Sequence, residues 1–410
     1  MRILQIHHPK DLKRIMQDIK VDAYGIKIMV PKAINHLVRI NSLSNIAANI
    51  LKQEMLSLGG DAAIARDALT GGTKKTDCLL IGSLSQFNRL HSKLKMQPFG
   101  LNKLAQDLSL TLNYYQKDNF TLDLGRYKLN LKSGRSYIMG IVNLTPDSFS
   151  GDGLYRQGQF PTCPERSRRE GTVPKEVVSY IEKMAEDGAD IVDIGGESSR
   201  PDAKPVSAKE ELKRTIPIIK KIAKKIKVPI SIDTYKPEVA EQALDNGAVM
   251  VNDITGLRNP KMLKVVSQKK CGVVIMHMKG EPRTMQNNPV YTSLIDEIIE
   301  YLDKAIDRAI SAGIDRERIM VDPGIGFGKS LKHNLEILRN LKEFRILGRP
   351  LLVGPSRKSF IGKILNLGPR ERTFGTVSCC ILASKNGANI LRVHDVKEVK
   401  QALKVTQAIK

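Results

Sequence analysis

The stretch PISIDTYKPEVAEQALDNGAVMVND, residues 229–253, decides the fold. It opens on a short apolar run, 229–232, that ends on an acid, Asp233. A segment with helical spacing of its apolar residues follows at 237–246, opened by Pro237, which suits a first helical turn because the N–H it lacks would be unpaired there. Asn246-Gly247-Ala248 then ends the segment, since glycine past a helix end takes the left-handed conformation that releases the chain. A second apolar run, 249–252, finishes in Asn252 and Asp253.

The same beat runs outward in both directions. Short β-rich runs stand at 137–142, 191–194, 229–232, 249–252, 273–276, 319–321, 350–353 and 389–393. Helical periodicity follows each, at 174–187, 208–225, 237–246, 260–269, 293–312, 331–341, 370–386 and 396–408. The hinge recurs as Asp187-Gly188-Ala189 and Asn386-Gly387-Ala388. Eight strands, each followed by a helix, imply parallel strands with right-handed crossovers, and the count and length predict a closed TIM (β/α)8 barrel of roughly 250 residues. Residues 120–131 alternate apolar and polar positions around Gly125-Arg126, which predicts a β-hairpin closing the bottom of the barrel.

The chain has 410 residues, so a barrel leaves a first domain, 1–118, ahead of the barrel domain at 119–410. That first domain reads as small α/β or α+β, with strand-like runs at 3–6, 26–30 and 78–81 and helical stretches at 33–56, 85–94 and 101–115. Its histidines His7, His8 and His36 stand alone and are not read as ligands. Residues 157–172, rich in charge, proline and glycine, interrupt the beat after the first barrel strand and read as a flexible insertion.

Composition narrows the function classes. Hydrophobic residues at 41% describe an ordinary globular protein, and no apolar run reaches the ~18 residues of a membrane span, so no membrane partner is expected. The opening residues 1–13 carry no signal-peptide core, and the five scattered cysteines form no C-x-x-C pair; both lead us to expect a reducing cytoplasm. The net charge of +23 is spread out: residues 1–135 hold 21 Lys/Arg against 10 Asp/Glu, and the remainder holds 45 against 33. With aromatics at 5% and no tryptophan, the excess does not form the interleaved basic stripe of a nucleic-acid binder, and none is expected as partner.

Active sites of such barrels lie at the C-terminal ends of the strands. The chain places there Asn143, the run Glu197-Ser198-Ser199-Arg200, Asp233, Asn252-Asp253, Met276-His277-Met278, Asp322, the run Ser356-Arg357-Lys358-Ser359, and Arg392 with His394. A lone Asp or Asn in such a position is commonly a helix cap, but eight polar strand ends in succession are not explained by capping. Arg200, Arg392 and His394 beside the amide oxygen of Asn143 suit a phosphate or diphosphate. Asp233 and Asp322 with Asn252 suit the edge of a planar heterocycle bearing amine and amide groups. The run 324–330, GIGFGKS, mimics a phosphate loop, but Pro323 occupies the first required glycine position; it reads as a tight turn that brings Phe327 to a flat ring.

These residues resemble a family, the dihydropteroate synthases. The resemblance rests on IMGIVNLTPDSFS at 138–150, DIGGESSRP at 193–201, PISIDT at 229–234, VND at 251–253, MHMKG at 276–280, DPGIGFG at 322–328, GPSRKS at 354–359 and RVHDV at 392–396, in family order over about 119–410. It implies condensation of a pterin diphosphate with 4-aminobenzoate. Asp233, Asn252, Asp322 and Lys358 would hold the pterin, Met276 and Phe327 would line its faces, and Gly354 would belong to the substrate-binding set. Asn143 would bind Mg²⁺, Ser199, Arg392 and His394 would hold diphosphate, and Ser359 would meet the amine's carboxylate. Lys358, Arg392 and His394, with Asp147 and Asp152, would form the catalytic set. Asp147, Phe149, Asp152, Arg200 and Pro201 would sit on two loops closing over the amine. A homodimer is implied as well. Ser199 replaces the family's usual threonine, Asp202 stands where glycine is common, and the insertion lies in the first loop. The alternatives are a pterin-binding methyltransferase acting on methyl-tetrahydrofolate, which has no reason for Lys358-Ser359 or for Arg392 with His394, and a non-catalytic pterin-binding or RNA-associated scaffold.

Overall fold

The computed structural model describes the chain except residues 5, 7, 8, 145–173, 199–204, 282, 283 and 410. It divides into two compact units, Met1–Asn113 and Tyr114–Lys410.

The first unit holds an antiparallel sheet of β1 (Asn35–Ser44), β2 (Asp61–Ile64) and β3 (Lys75–Ser83) in the order β1-β3-β2. Its helices are α1 (Pro9–Asp18), α2 (Ala23–Ala33), α3 (Asn45–Ser57), α4 (Arg66–Thr70), α5 (Leu84–Leu94) and α6 (Leu101–Gln116), whose last three residues are counted with the second unit. Leu51, Met55, Leu80, Phe87, Leu90, Leu101 and Leu108 form its core. An antiparallel sheet with helices makes this unit α+β. Three expected elements differ. Residues 26–30 are helical within α2, because Asp22 caps that helix by accepting the Gly25 N–H at 2.8 Å. Residues 35–44, expected as helix, are β1: His36, Val38 and Ile40 are half-buried on one face while Leu37 and Arg39 are exposed on the other, a period of two. Ser44 then caps α3. Of residues 3–6, the described ones have no regular structure.

The second unit opens on a hairpin, β4 (Phe120–Asp123) and β5 (Lys128–Leu131), followed by β6 (Tyr137–Asn143), β7 (Ile191–Gly195), β8 (Ile230–Asp233), β9 (Met250–Asp253), β10 (Gly272–Met276), β11 (Ile319–Asp322), β12 (Leu352–Val353) and β13 (Ile390–Val393). These eight pair in parallel in chain order, β13 pairs with β6, and a parallel bridge from Val321 to Leu351 joins β11 to the chain entering β12. The barrel is closed. Its helices are α7 (Lys175–Glu186), α8 (Ala208–Ile222), α9 (Pro237–Asp245), α10 (Pro260–Lys269), α11 (Leu294–Ser311), α12 (Leu331–Arg339), α13 (Ser359–Leu365), α14 (Thr373–Lys385) and α15 (Val396–Ile409).

The strands are buried on both faces, which is why they read as continuous apolar runs such as Gly272–Met276, GVVIM, every residue of it buried. The helices bury one stripe each; α11 buries Leu294, Ile298, Leu302, Ala305 and Ala309 at helical spacing. The hairpin closes the barrel's N-terminal end: Leu122, Leu124 and Leu131 pack with Tyr137, Met139, Met250, Met320, Leu352 and Ile390. Gly272 makes room for it, since a Cβ there would lie 2.2 Å from Leu124 Cδ2. With that end plugged, only the C-terminal ends of the strands can form a mouth.

Candidate active site

The strand register sets a row of polar positions around that mouth. Asn143 is aligned with Gly195, Gly195 with Asp233, and Asp233 with Asn252; one strand further on, Met276 is aligned with Asp322. Parallel strands in a tilted barrel bring these ends side by side although they are up to some 180 positions apart in the chain.

Arg392, from β13, organises one side. Its Nε donates to Asp193 Oδ2 at 2.6 Å and its Nη2 to Asp233 Oδ2. Asn252 Nδ2 donates to the same Asp193 oxygen at 3.1 Å. Asp193 is fully buried, and its Oδ1 has no hydrogen-bond partner among the described residues. Burial pushes the Asp233 carboxyl up to about 7, against the pull of Arg392, with Asp193 and Glu211 adding to the rise.

Asp322 lies across the row, also buried. Its Oδ1 accepts the Gly324 N–H at 2.7 Å. Burial raises its carboxyl to about 6, while that N–H and the charges of Lys358 and Lys329 oppose the rise. The turn after it is tight: Gly324 has φ +71°, and a Cβ there would sit 1.9 Å from the His277 carbonyl oxygen. The turn packs Phe327 into an apolar cluster with Ile254, Met276, Met278 and Met285, and Lys358 Nζ stands 4.1 Å from the centre of the Phe327 ring, a cation–π distance. Lys329 points inward, its Nζ against His277 Nδ1 at 3.0 Å and donating to the Phe327 carbonyl at 2.9 Å. Burial depresses that ammonium to about 7 and holds His277 down to about 2. A lysine turned into the protein in this way does not serve a phosphate loop.

On the far side of the row, His394 Nδ1 meets Ser356 Oγ at 3.0 Å, and its Nε2 faces Asn143 Nδ2 at 3.4 Å. Gly354 lies against the Arg392 side chain, and Ser359 is exposed at the start of α13. Arg357 turns away to pair with Asp395.

Of the residues singled out in the sequence, Asn143, Asp233, Asn252, Met276, Asp322, Phe327, Gly354, Lys358, Ser359, Arg392 and His394 all stand at the C-terminal ends of the strands or in the loops just beyond them. Asp147, Asp152, Ser199 and Arg200, with Phe149, Pro201 and the 157–172 insertion, lie outside the described residues. Sequence reasoning missed Asp193, whose signal was an acid inside the otherwise apolar strand Ile191–Gly195. It missed Lys329 and a second, partly buried network as well, in which Lys236 pairs with both Glu197 and Glu211 while Tyr235 Oη donates to Glu197 Oε1 at 3.0 Å. Asp253, by contrast, caps its own turn through the N–H groups of Thr255 and Leu257.

The sequence profile of the pterin binding enzyme family matches residues 139–394. A dihydropteroate synthase of Synechocystis sp. is 48% identical over 277 residues, 67% of this chain and 90% of that protein. A probable bifunctional folylpolyglutamate synthase/dihydropteroate synthase of Halobacterium salinarum is 36% identical over 398 residues, 97% of this chain and 46% of that protein, so its similarity extends into the first unit. The solved Xanthomonas albilineans dihydropteroate synthase with 4-aminobenzoic acid superposes with a TM-score of 0.62 at 39% identity, over 71% of this chain and 98% of that one. With the closed barrel and its row of acidic and basic strand ends, these likenesses show that the chain belongs to the dihydropteroate synthases of the pterin binding enzyme family.

Proposed function

We propose that the chain condenses 6-hydroxymethyl-7,8-dihydropterin diphosphate with 4-aminobenzoate, releasing diphosphate and 7,8-dihydropteroate. The observation that carries this reading is the pair of carboxylates, partly buried Asp233 and buried Asp322, at the same barrel mouth as Asn252, Arg392 and Lys358. Each has one oxygen engaged, Asp233 by Arg392 and Asp322 by the Gly324 N–H, and a carboxylate's remaining lone pairs can accept the N–H groups of a pterin's amine and amide edge. Met276 and Phe327 offer apolar faces to the ring, and Lys358 above Phe327 adds a cation beside it.

The reaction breaks the bond between the pterin methylene carbon and the diphosphate oxygen, with the electron pair leaving on oxygen. The amine nitrogen of 4-aminobenzoate then forms the C–N bond and gives up a proton. No nucleophile from the chain is needed. What the chain supplies is charge: Arg392 and His394 beside the departing diphosphate, and carboxylates that hold the pterin while positive charge develops on its methylene. Ser199 would join the diphosphate contacts; Asp147, Phe149, Asp152, Arg200 and Pro201 would enclose the amine, and Ser359 would meet its carboxylate.

The donors present fit Mg²⁺ of the kind carried mainly by substrate phosphates and water. Among the described residues no group of three or more His, Cys, Asp or Glu could cage a metal, and Asn143 Oδ1, beside His394 on this rim, is a hard oxygen donor that would hold the ion. When bound, Mg²⁺ would neutralise charge on the leaving diphosphate. The described cysteines are free and no described helix is long and apolar enough to cross a membrane, which supports a cytoplasmic enzyme; we take it to work as a homodimer. The test is diphosphate release from the pterin diphosphate. It should require 4-aminobenzoate and Mg²⁺ together. Methyl transfer from methyl-tetrahydrofolate without diphosphate chemistry would overturn the reading.

A further inference from the structure

At the opposite end of the barrel from the mouth lies a cleft of about 280 Å³, formed by the hairpin and the segments that enter β11 and β12. Four cations line it: Lys117, Lys132, Arg316 and Arg349. Neighbouring cations on this end of the barrel are paired, Arg345 with Asp118 and Arg318 with Asp123 and Asp315. The four in the cleft have no carboxylate at ion-pairing distance among the described residues. Arg316 Nη1 donates to the Tyr114 hydroxyl at 2.9 Å, Lys117 stands 4.9 Å from the Phe120 ring centre, and Arg349 Nη1 donates to the Arg316 carbonyl.

Arg349 is the telling residue. It is only 6% exposed, and its Nε has no hydrogen-bond partner among the described residues. Buried arginines are ordinarily paired, because an uncompensated charge in a low-dielectric interior is costly. Glu317 is the one acid lining the cleft among the described residues, and it is exposed. The cations feel one another: burial lowers both Arg349 and Lys117, and Arg316 lowers both further, while Arg349 also acts on Lys117 and Glu317 opposes the shift in each. Repulsion of this kind is relieved by an anion.

We propose that this cleft is a second anion site, separate from the catalytic mouth, that holds the dianionic phosphate group of a small molecule. Exposed ammonium groups of Lys117 and Lys132 and the guanidinium of Arg316 provide the donors, and Arg349 provides fixed positive charge behind them. Phe120, Leu131 and Pro350 give the cleft an apolar side that fits the carbon part of a phosphomonoester better than hydrated free phosphate.

The test uses the full chain and equilibrium dialysis with radiolabelled inorganic phosphate at low ionic strength. Lys117 and Lys132 are exposed, so Lys117→Ala/Lys132→Ala should fold normally, keep its turnover and bind about one phosphate fewer per chain, or bind that one at least about tenfold more weakly. Arg392→Ala, at the mouth, should leave that phosphate in place. Glycerol 3-phosphate should displace the label from this site in the parent protein; displacement only by unlabelled phosphate would assign free phosphate, and both results support the site. Identical phosphate binding by the parent and the double variant, or no phosphate bound by either at millimolar concentration, overturns it.

Discussion

If Asp322 holds the pterin edge as proposed, replacing it by Asn changes one atom there and leaves shape almost untouched. In the native chain one carboxylate oxygen is committed to the Gly324 N–H at 2.7 Å, so the asparagine keeps that bond through its amide oxygen. Its Nδ2 then replaces an acceptor with a donor, facing the N–H groups that the pterin offers. Two charge-assisted hydrogen bonds at about 1.5–3 kcal/mol each are lost, and their donors are left buried and unpaired. At about 1.4 kcal/mol per tenfold, pterin affinity should fall roughly 10²- to 10⁴-fold. The fold should not suffer. Burial has raised the Asp322 carboxyl to about 6, which means that ionised Asp322 costs stability at neutral pH, an upper bound of about 3 kcal/mol at 1.36 kcal/mol per pH unit. Asparagine removes that cost, so the variant should melt at or above the parent temperature at pH 7.5. Calorimetric titration with a pterin and thermal unfolding of the same samples read the two effects separately. Near-native pterin affinity, or weakened binding that tracks a fall in melting temperature, would refute the reasoning.

Three further outcomes follow from the geometry. Asp233 has a folded value near 7, above the ordinary ~3.9 of the unfolded chain, so the native state keeps a proton the unfolded state has released and its contribution to stability falls as pH rises from about 4 to 7; Arg392→Ala, which strips the partner from Asp233 and Asp193, should deepen that loss to about 3–5 kcal/mol at pH 8 and much less at pH 5, and an equal melting shift at both pH values would contradict it. Gly324→Ala sets a Cβ against the His277 carbonyl at a left-handed backbone position and should cost about 2–4 kcal/mol in urea unfolding, whereas an unchanged midpoint would disprove the turn. A chain starting at Tyr114 should fold and bind pterin, while one starting at Asn119 loses the Tyr114–Arg316 and Asp118–Arg345 contacts and should melt about 5 °C lower; equal melting would show that residues 114–118 contribute nothing.

The sequence by itself determined the barrel and most of its rim. Strands buried on both faces must be largely apolar, helices packed on them must repeat every three to four residues, and glycine releases several of those helices, as at Gly188, Gly247 and Gly387, so the chain of 137–410 carries its own architecture in local pattern. Polar residues ending such runs, Asp233, Asn252, Asp322 and Arg392 among them, stand out because nothing local explains all of them together. The first unit was less legible. Residues 26–30 and 35–44 are short and mixed in character, and a cap at Asp22 or a sheet partner 31 to 48 positions away, from Ser44–Lys75 to Asn35–Ser83, outweighed propensity. Only the tertiary structure decided who meets whom. It spent Arg392 on Asp193 and Asp233, turned Lys329 inward onto His277 rather than toward a phosphate, and left Arg349 buried without an acid. Those outcomes depend on strand register, barrel closure and the hairpin plug, which set distances between residues up to 200 positions apart; charge pairing and burial act through space, and local sequence pattern does not encode them.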